Sequence, residues 1–287
     1  MEVTRFAPSP NGPLHLGHAY AAAVAHDLAR ERGGRFVLRI EDLDQGRARG
    51  ALVAEIRADL AWLGLEWDDV APQSERAASY LAAAERLKAL GVLYPCTCTR
   101  AQISAGATAQ GPDGPVYPGT CRDRTIDPQG ASWRLDVARA EALTGPLEWT
   151  DEIAGPLQAN PRIFGDVILL RGSGEAAYHL AVTLDDAADG VSLVTRGADL
   201  FAASHVHRLL QALLGLAIPA WHHHPLLVGA DGQKLAKRRG SPGLAARRRA
   251  GEDGRALATN LRAGRFPSGI SLSAILHCEA WETPFWS

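Results

Sequence analysis

The sequence has few of the residues that mark disulfide-rich or membrane-spanning proteins. Its 287 residues include only four cysteines, which excludes a disulfide-stabilised scaffold. The longest apolar stretch, residues 209–221, is interrupted by Gln211 and Pro219 and falls short of the roughly 20 residues that a membrane span needs. A 46% apolar composition over this length supports instead a large core with one or two appended units.

Lysine is rare, and the charges of the two signs nearly cancel. The net charge of −2 gives no sign of a nucleic-acid partner. Only three of the 30 basic residues are lysines, at positions 88, 234 and 237. Residues 232–265 hold ten basic and two acidic residues, a net charge of +8, so the remainder of the chain carries −10. This basic segment is a candidate contact for nucleic-acid phosphates.

Three of the four cysteines, Cys96, Cys98 and Cys121, lie in one short region, while Cys278 stands apart. The N-terminus lacks the basic and apolar regions of a signal peptide, which predicts a cytoplasmic, reducing location. Thiols in that location favour a metal over disulfides. A structural zinc site would need one further ligand. A water as that ligand, or three buried cysteines without metal, are the alternatives.

The periodicity predicts an α/β protein with a parallel sheet and crossover helices. We expect strands at residues 3–7 and 35–40 and helices at 14–32, 51–63 and 75–90. Residues 94–160 are rich in Pro, Gly and Thr, which indicates an inserted subdomain with a strand at 132–137. The sheet is expected to resume with strands at 166–170, 177–183 and 191–196 and a helix at 201–214.

Four regions follow from this pattern. The predicted boundaries are 1–93 for the first half of the sheet domain, 94–165 for the insertion with the candidate metal site, 166–229 for the second half, and 230–287 for a short basic, mainly helical C-terminal segment. Three polar clusters are expected to be structural or surface features. They are a solvated turn at Asp185 and Asp186, a surface or groove pair at His205 and His207, and a strand entry at residues 222–224.

The loop after the first strand has the residues of a phosphate site. The sequence has no Gly-x-Gly-x-x-Gly after that strand and no P-loop motif, so a dinucleotide dehydrogenase or a P-loop enzyme is disfavoured. His15 and His18 share one face of the first turn of the following helix, whose N-terminus favours negative charge. Gly17 would let an adenine ring approach the backbone. Two ordinary surface histidines are the alternative.

Two of the three lysines, Lys234 and Lys237, lie within one short loop at residues 232–239. Flexible lysines on a loop can follow a phosphate group as it moves toward the transition state. A solvated basic loop is the alternative.

Taken together, these segments resemble the two signature motifs of class I aminoacyl-tRNA synthetases, His-Leu-Gly-His at residues 15–18 and Lys-Leu-Ala-Lys-Arg at 234–238. Arg-Phe-Ala-Pro-Ser-Pro-Asn-Gly (5–12), Arg-Ile-Glu-Asp-Leu-Asp (39–44) and Val-Thr-Arg-Gly-Ala-Asp-Leu (194–200) are similar to the glutamyl-tRNA synthetase branch. The resemblance covers about residues 3–240 and implies a doubly wound, Rossmann-type catalytic domain that is split by a zinc-bearing insertion. With fewer than fifty residues after Arg239, no anticodon-binding region is expected, as in the short paralogues of that branch.

The resemblance implies that L-glutamate is activated with ATP and Mg²⁺, without tRNA, and is transferred to the queuosine base in the anticodon of tRNA(Asp). It also implies that the protein is a monomer and has no membrane partner. A truncated glutamyl-tRNA synthetase that charges the tRNA 3′ end and a non-catalytic tRNA- or nucleotide-binding protein are the alternatives. The chain departs from the family pattern at two positions. Ala236 stands where the lysine loop often has a serine, and His179 stands where an amide is expected. These departures concern the reaction rate and the secondary substrate contacts.

By resemblance, the residues fall into four sets. The catalytic residues at the phosphates are His15, His18, Lys234 and Lys237, and the ATP-binding residues are His15, Gly17, His18 and Lys237. The glutamate-binding residues are Arg5, Ala7, Ser9, Glu41, Tyr178 and Arg196. The ligands of a structural Zn²⁺ are Cys96, Cys98, Tyr117 and Cys121. For Arg5 and Glu41 alone, paired charges at strand ends would be the simpler interpretation.

Overall fold

The structure is a computed structural model that describes residues 1–43, 50–235 and 243–273. Its strands are β1 (Val3–Phe6), β2 (Arg35–Leu38), β3 (Asp68–Asp69), β4 (Leu93–Cys96), β5 (Gln110–Gly111), β6 (Gly114–Pro115), β7 (Ser132–Leu135), β8 (Glu148–Asp151), β9 (Gly155–Gln158), β10 (Ile168–Leu170), β11 (Leu193–Gly197), β12 (Ala220–His224), β13 (Leu227–Gly229) and β14 (Ile270–Leu272). Its helices are α1 (Leu16–Glu31), α2 (Gly50–Trp62), α3 (Ala77–Ala89), α4 (Arg100–Gly106), α5 (Val137–Thr144), α6 (Tyr178–Ala188), α7 (Ala203–Leu214), α8 (Leu244–Arg249) and α9 (Gly254–Arg262).

The described residues form two compact units. The first unit comprises residues 1–43, 50–75, 189–200, 219–235 and 243–273, and the second comprises 76–188 and 201–218. The predicted boundaries after residues 93, 165 and 229 remain predictions. Within the described ranges, no helix has the length and apolarity to cross a membrane.

Parallel strand pairs organise the first unit. β2 lies between β1 and β3 and pairs in parallel with both, with Val3 opposite Arg35. β11 and β12 form a second parallel pair, and β11 lies beside β1, where the Ser192 N–H donates to the Val3 carbonyl at 3.0 Å. All four residues of β1 are buried, as expected for a strand covered on both faces. The predicted mixed α/β character is confirmed.

Helix α1 lies against this sheet because its buried face is made almost entirely of small side chains. Alanines at positions 19, 22, 23, 25 and 29 join Leu16 on that face, so the helix contacts β1 and β2 closely. The Thr4 hydroxyl on β1 donates to the Ala25 carbonyl at 2.6 Å. The helix is followed by Gly33, whose φ of +61° suits a residue without Cβ.

The C-terminal elements of the first unit share its core. Leu235, Leu244 and Leu261 are buried together with residues of β1, α1, β2 and α2. Several arginines of the +8 segment are paired with acidic residues of α1 and α2, because Arg248 bonds Asp59, Arg249 bonds Glu55 and Arg262 bonds Asp27. The expectation of arginines available to phosphates is therefore corrected for Arg248, whose partner Asp59 is fully buried.

The second unit contains an antiparallel sheet in the order β10-β7-β4, a β8–β9 hairpin and helices that include α3, α5, α6 and α7. Two predictions are wrong here. The strand predicted at residues 166–170 pairs antiparallel with β7, so it does not continue a parallel sheet. Residues 177–183, predicted as a strand, begin helix α6, in which seven of eleven residues are buried. A helix buried on most sides shows little apolar periodicity, which explains the error.

A polar turn predicted at the surface and a histidine pair predicted at the surface or in a groove are also buried in the second unit. Asp185 is 1% exposed and accepts hydrogen bonds from the Tyr80 hydroxyl at 2.8 Å and from Arg76 at 3.3 Å. His205 and His207 lie on α7 with 7% and 3% exposure. Their partners are distant in sequence, so local polarity could not predict their burial.

Candidate active site and metal centre

The two signature histidines cap helix α1. His15 is the N-cap residue, and its Nδ1 accepts from the Gly17 N–H at 3.1 Å. Nδ1 of His18 accepts from the His15 N–H at 3.1 Å, and the ring centroids lie 3.8 Å apart. Because each Nδ1 accepts a hydrogen bond, the proton of each neutral ring is placed on Nε2. The pair therefore presents two Nε2–H donors at a helix N-terminus, which suits a phosphate.

Gly17 fits tightly against this pair. A Cβ at position 17 would lie 3.0 Å from Cε1 and 3.1 Å from Nδ1 of His15. Even an alanine would press on the ring, so the glycine preserves the cap geometry. This is a different reason for the glycine from the adenine approach expected from the sequence.

The two arginines predicted to bind carboxylates belong to the adjacent strands β1 and β11. Arg5 is 5% exposed, and its Nη1 donates to the Thr195 carbonyl, next to Arg196. Arg196 is equally buried, and its Nε donates to Nε2 of His223 at 3.0 Å. His223 stands opposite Arg196 in the parallel register of β11 and β12. Sequence reasoning missed His223, because only the strand pairing links it to Arg196.

Glu41 lies just beyond the end of β2, beside the loop that follows β1. Its N–H donates to the Pro8 carbonyl at 3.1 Å, in a loop where Ala7 is half-buried and Ser9 is exposed. Its carboxylate lies 3.5 Å from Nη2 of Arg39, a fully buried residue that also pairs with Asp189 at 2.9 Å. The simpler interpretation, paired charges of Arg5 and Glu41 at strand ends, stays a prediction.

The lysine motif follows a tight turn after β13. The Lys234 ammonium pairs with the Asp199 carboxylate, and the two side chains are 54% and 33% exposed. Leu235 is anchored in the core and through its N–H to the Leu227 carbonyl at 3.1 Å. Lys237 and Ala236 lie outside the described residues. Beyond the motif, the Leu244 N–H donates to the Leu14 carbonyl at 2.8 Å.

Tyr178 belongs to the second unit, where it begins α6. Its ring centroid lies 5.7 Å from that of His207, and His179 Nδ1 lies 3.2 Å from His207 Nε2. His207 is thus a neighbour of both Tyr178 and His179. The sequence did not predict this contact. A role for Tyr178 in glutamate binding remains a prediction from the resemblance.

The predicted metal ligands converge in the second unit. The Sγ atoms of Cys96, Cys98 and Cys121 all lie within 4.8 Å of one another, with 3.5 Å between the last two. The Tyr117 Oη lies 3.4 Å from Cys96 Sγ and 3.7 Å from Cys98 Sγ. Four ligands at about 2.3 Å from a tetrahedral zinc ion are separated by about 3.8 Å, so the donor set fits such an ion.

Hydrogen bonds within the cluster alter the acidity of its groups. Burial would raise the pKa of the Cys121 thiol, but hydrogen bonds from Tyr117, Thr97 and Cys98 outweigh it and lower the pKa to about 7. Burial raises the pKa of Cys98, and burial together with the neighbouring thiols raises the pKa of Tyr117. Thiolate formation at Cys121 near neutral pH favours capture of a divalent metal.

Comparison with known proteins places these features in context. Residues 2–266 match the family model of tRNA synthetases class I (E and Q), catalytic domain. The chain is 48% identical over 254 residues to the glutamyl-Q tRNA(Asp) synthetase of Rhodobacter capsulatus, covering 82% of this chain and 91% of that protein. It is 46% identical over 267 residues to the protein of the same name from Deinococcus radiodurans, covering 90% and 88%.

Among solved structures, the glutamate-tRNA synthetase from Elizabethkingia anophelis matches with a TM-score of 0.69 at 26% identity. The match covers 84% of this chain and 54% of that one, so the chain spans about half the length of this solved relative.

Proposed function

The chain belongs to the family of class I tRNA synthetases of the E and Q type, and on this premise we propose that it is a glutamate-activating enzyme that modifies tRNA(Asp). It joins L-glutamate to AMP at the expense of ATP, without tRNA, and then transfers the glutamyl group to the queuosine base of the anticodon. Relatives that are 41–48% identical over most of the chain carry the name glutamyl-Q tRNA(Asp) synthetase, which supports the transfer step.

One observation carries the activation step. The Leu244 N–H donates to the Leu14 carbonyl, which ties the chain beyond the lysine motif to the residue before the His15 cap. The two signature motifs are far apart in sequence, yet their described flanks are hydrogen-bonded within the first unit. This supports a common phosphate site for His15, Gly17, His18 and the lysines at positions 234 and 237.

The chemistry requires positioning and charge stabilisation more than a general base. A glutamate α-carboxylate is already ionised and attacks the α-phosphorus of ATP, so that pyrophosphate leaves. The Nε2–H groups of His15 and His18 donate to phosphate oxygens, and Lys234 and Lys237 follow the departing pyrophosphate. Mg²⁺ bound with ATP supplies further neutralisation of phosphate charge.

The proposed glutamate site uses charge of both signs. Arg5 and Arg196 bind the substrate carboxylates, held by the Thr195 carbonyl and by His223. Glu41, held by Arg39, binds the α-ammonium group. The loop residues Ala7 and Ser9 and the hydroxyl of Tyr178 complete the proposed set.

We further propose that Cys96, Cys98, Tyr117 and Cys121 hold a structural zinc ion within an insertion, at residues 94–165, of a Rossmann-type catalytic domain. The sulfur and oxygen separations support four-coordinate binding, and a fully protein-ligated site has no open position for catalysis. The parallel pairs β1–β2 and β11–β12 support the Rossmann-type sheet. The predicted monomer would be checked by light scattering.

Exchange of labelled pyrophosphate into ATP tests the activation step. We expect exchange that depends on glutamate and needs no tRNA. His18→Gln should reduce it by at least about tenfold, the loss of about 1.4 kcal/mol of transition-state stabilisation. His26→Gln is the matched control, because His26 lies on the same helix beyond the capping turn. No exchange by folded protein would refute the activation step.

Nucleoside mass spectrometry of tRNA(Asp) incubated with the enzyme, glutamate and ATP tests the transfer step. We expect the added glutamyl mass on the queuosine nucleoside. A glutamyl group on the 3′-terminal adenosine would indicate charging of the 3′ end instead. Binding of tRNA without exchange or transfer would indicate a non-catalytic protein.

A further inference from the structure

One basic side chain contacts two of the four donors of the proposed zinc site. Arg134 lies on β7, opposite Tyr94 in the antiparallel register with β4, so its diagonal neighbour on that strand is Cys96. Its Nε donates to Cys96 Sγ at 3.2 Å. Its guanidinium carbon lies 3.9 Å from the centre of the Tyr117 ring. The side chain is 5% exposed, so these contacts are made away from bulk water.

The orientation of Arg134 is fixed from its other side. Its Nη1 donates to the Asp166 backbone carbonyl at 2.6 Å. The Asp166 carboxylate is engaged elsewhere, because it accepts from Tyr94, from two nitrogens of Arg122 at 2.9 and 2.6 Å, and from the Val137 N–H at 3.1 Å. In the described part of the chain, no carboxylate forms an ion pair with Arg134. Its positive charge is therefore directed at the sulfur and phenol donors.

The charge of the donor set gives this contact its significance. A divalent cation bound by three thiolates and a fourth, oxygen donor carries net negative charge in a largely buried environment. Such charge is costly unless it is paired and hydrogen-bonded. A hydrogen bond to a ligating sulfur and a cation over the phenol ring are the contacts that reduce this cost.

We infer that Arg134 is a positioning residue of the metal centre, which orients Cys96 and Tyr117 and offsets the negative charge of the loaded site. This inference rests on the proposed zinc site. It assigns to Arg134 a role in retaining the metal, beyond packing β4 against β7.

Metal content and metal release test the inference. Arg134→Gln, Arg134→Lys and the wild type are purified, and zinc per chain is measured by mass spectrometry, followed by the rate of zinc transfer to a chromogenic chelator. We expect one zinc in the wild type, and an affinity lower by about 10- to 100-fold in Arg134→Gln. Arg134→Lys should lie between the two, because it keeps the charge but loses the planar fork. Arg124→Gln, an exposed arginine near Cys121, is the matched control and should behave as the wild type.

Thermal unfolding with and without chelator separates a metal role from a purely structural one. If Arg134 acts on the metal site, its replacement lowers the melting temperature more in the zinc-loaded protein than in the zinc-free protein. Equal lowering in both states, or zinc release at the wild-type rate, would overturn the inference while leaving the zinc site intact. A wild-type protein without zinc would overturn the zinc site and the inference together.

Discussion

The ion pair between Arg248 and Asp59 predicts a large loss of stability when the arginine is removed. Arg248 Nε donates to Asp59 Oδ1 at 3.0 Å, which joins α8 to α2. The Asp59 side chain is fully buried and that of Arg248 is 30% exposed. Burial raises the pKa of Asp59 even beside the arginine. Arg248→Ala would leave a buried carboxylate without its cation.

Two estimates bound the effect. Removal of one partner from a buried pair costs about 3–5 kcal/mol. The variant can avoid the unpaired charge by protonating the Asp59 carboxyl. At pH 7 this protonation costs about 4 kcal/mol relative to an ordinary pKa of about 3.9. We therefore expect a loss of about 3 kcal/mol at pH 7, because the partial exposure of Arg248 lets water relieve part of the cost. For a chain of this size, the melting temperature falls by about 6–12 °C.

The deficit should depend on pH. The folded-state pKa of Asp59 is raised, so this carboxyl contributes most to stability below its unfolded-state pKa and loses that contribution as pH rises through the folded-state value. Removing Arg248 raises the folded-state pKa further. The difference between variant and wild type should therefore shrink as the pH is lowered from 7 toward 4.

Urea unfolding of the variants at several pH values provides the test. Arg249→Ala is the matched control, since it breaks the exposed neighbouring pair with Glu55 and should cost no more than about 1 kcal/mol. Adding Asp59→Asn to Arg248→Ala should recover most of the lost stability. A deficit as small as that of Arg249→Ala, or one that is independent of pH, would refute the reasoning.

Three further predictions concern the two units. Gly17→Ala should crowd the His15 ring and reduce pyrophosphate exchange about tenfold, about 1.4 kcal/mol, with an unchanged circular dichroism spectrum; normal exchange would contradict the role of the cap. His223→Phe should raise the KM for glutamate about tenfold with less effect on kcat, because Arg196 loses its acceptor; steady-state exchange kinetics decide. Burial lowers the pKa of His205 to about 4, so stability should fall by up to about 3 kcal/mol as pH drops from 6.5 to 4. His205→Asn should remove that part of the pH dependence in urea titrations, and an unchanged profile would exclude His205 as its source.

Elements with strong local signals could be predicted from the sequence. Helix α1 was expected at 14–32 and lies at Leu16–Glu31, because a cap at His15 and a glycine at position 33 mark its ends. Strands β1, β2 and β11 were expected from short apolar runs, and each lies within a residue or two of the expected position. In these segments, local propensity and burial favour the same structure.

Elements whose state depends on distant partners could not be predicted. The first residues of α6 contain enough apolar side chains to indicate a strand, and only packing on most sides of the helix makes them helical. Asp185 is buried because Tyr80, 105 positions away, donates to it. The pairing direction of β10 with β7 is likewise a tertiary property that alternation along one strand does not specify.

The candidate site shows the same difference between local and distant signals. Its side chains could be proposed from motifs, but the residues that hold them could not. Arg5 is fixed by a carbonyl 190 positions away, and Arg196 by a histidine 27 positions away. Arg39 forms an ion pair with Glu41 and lies in the same motif, but the motif gives no role for it.

The basic side chains of residues 232–265 differ in how firmly their acidic partners hold them. Arg248 is committed to a buried carboxylate, so its charge is unavailable to a phosphate without a loss of about 3 kcal/mol. Lys234 pairs with Asp199 where both side chains are exposed to solvent, and such a pair contributes about 0–1 kcal/mol. Under the proposed function, replacement of Asp199 by an ATP phosphate therefore has a small cost. The net charge of residues 232–265 does not distinguish a buried ion pair from an exposed one, but the solvent exposure of each pair does.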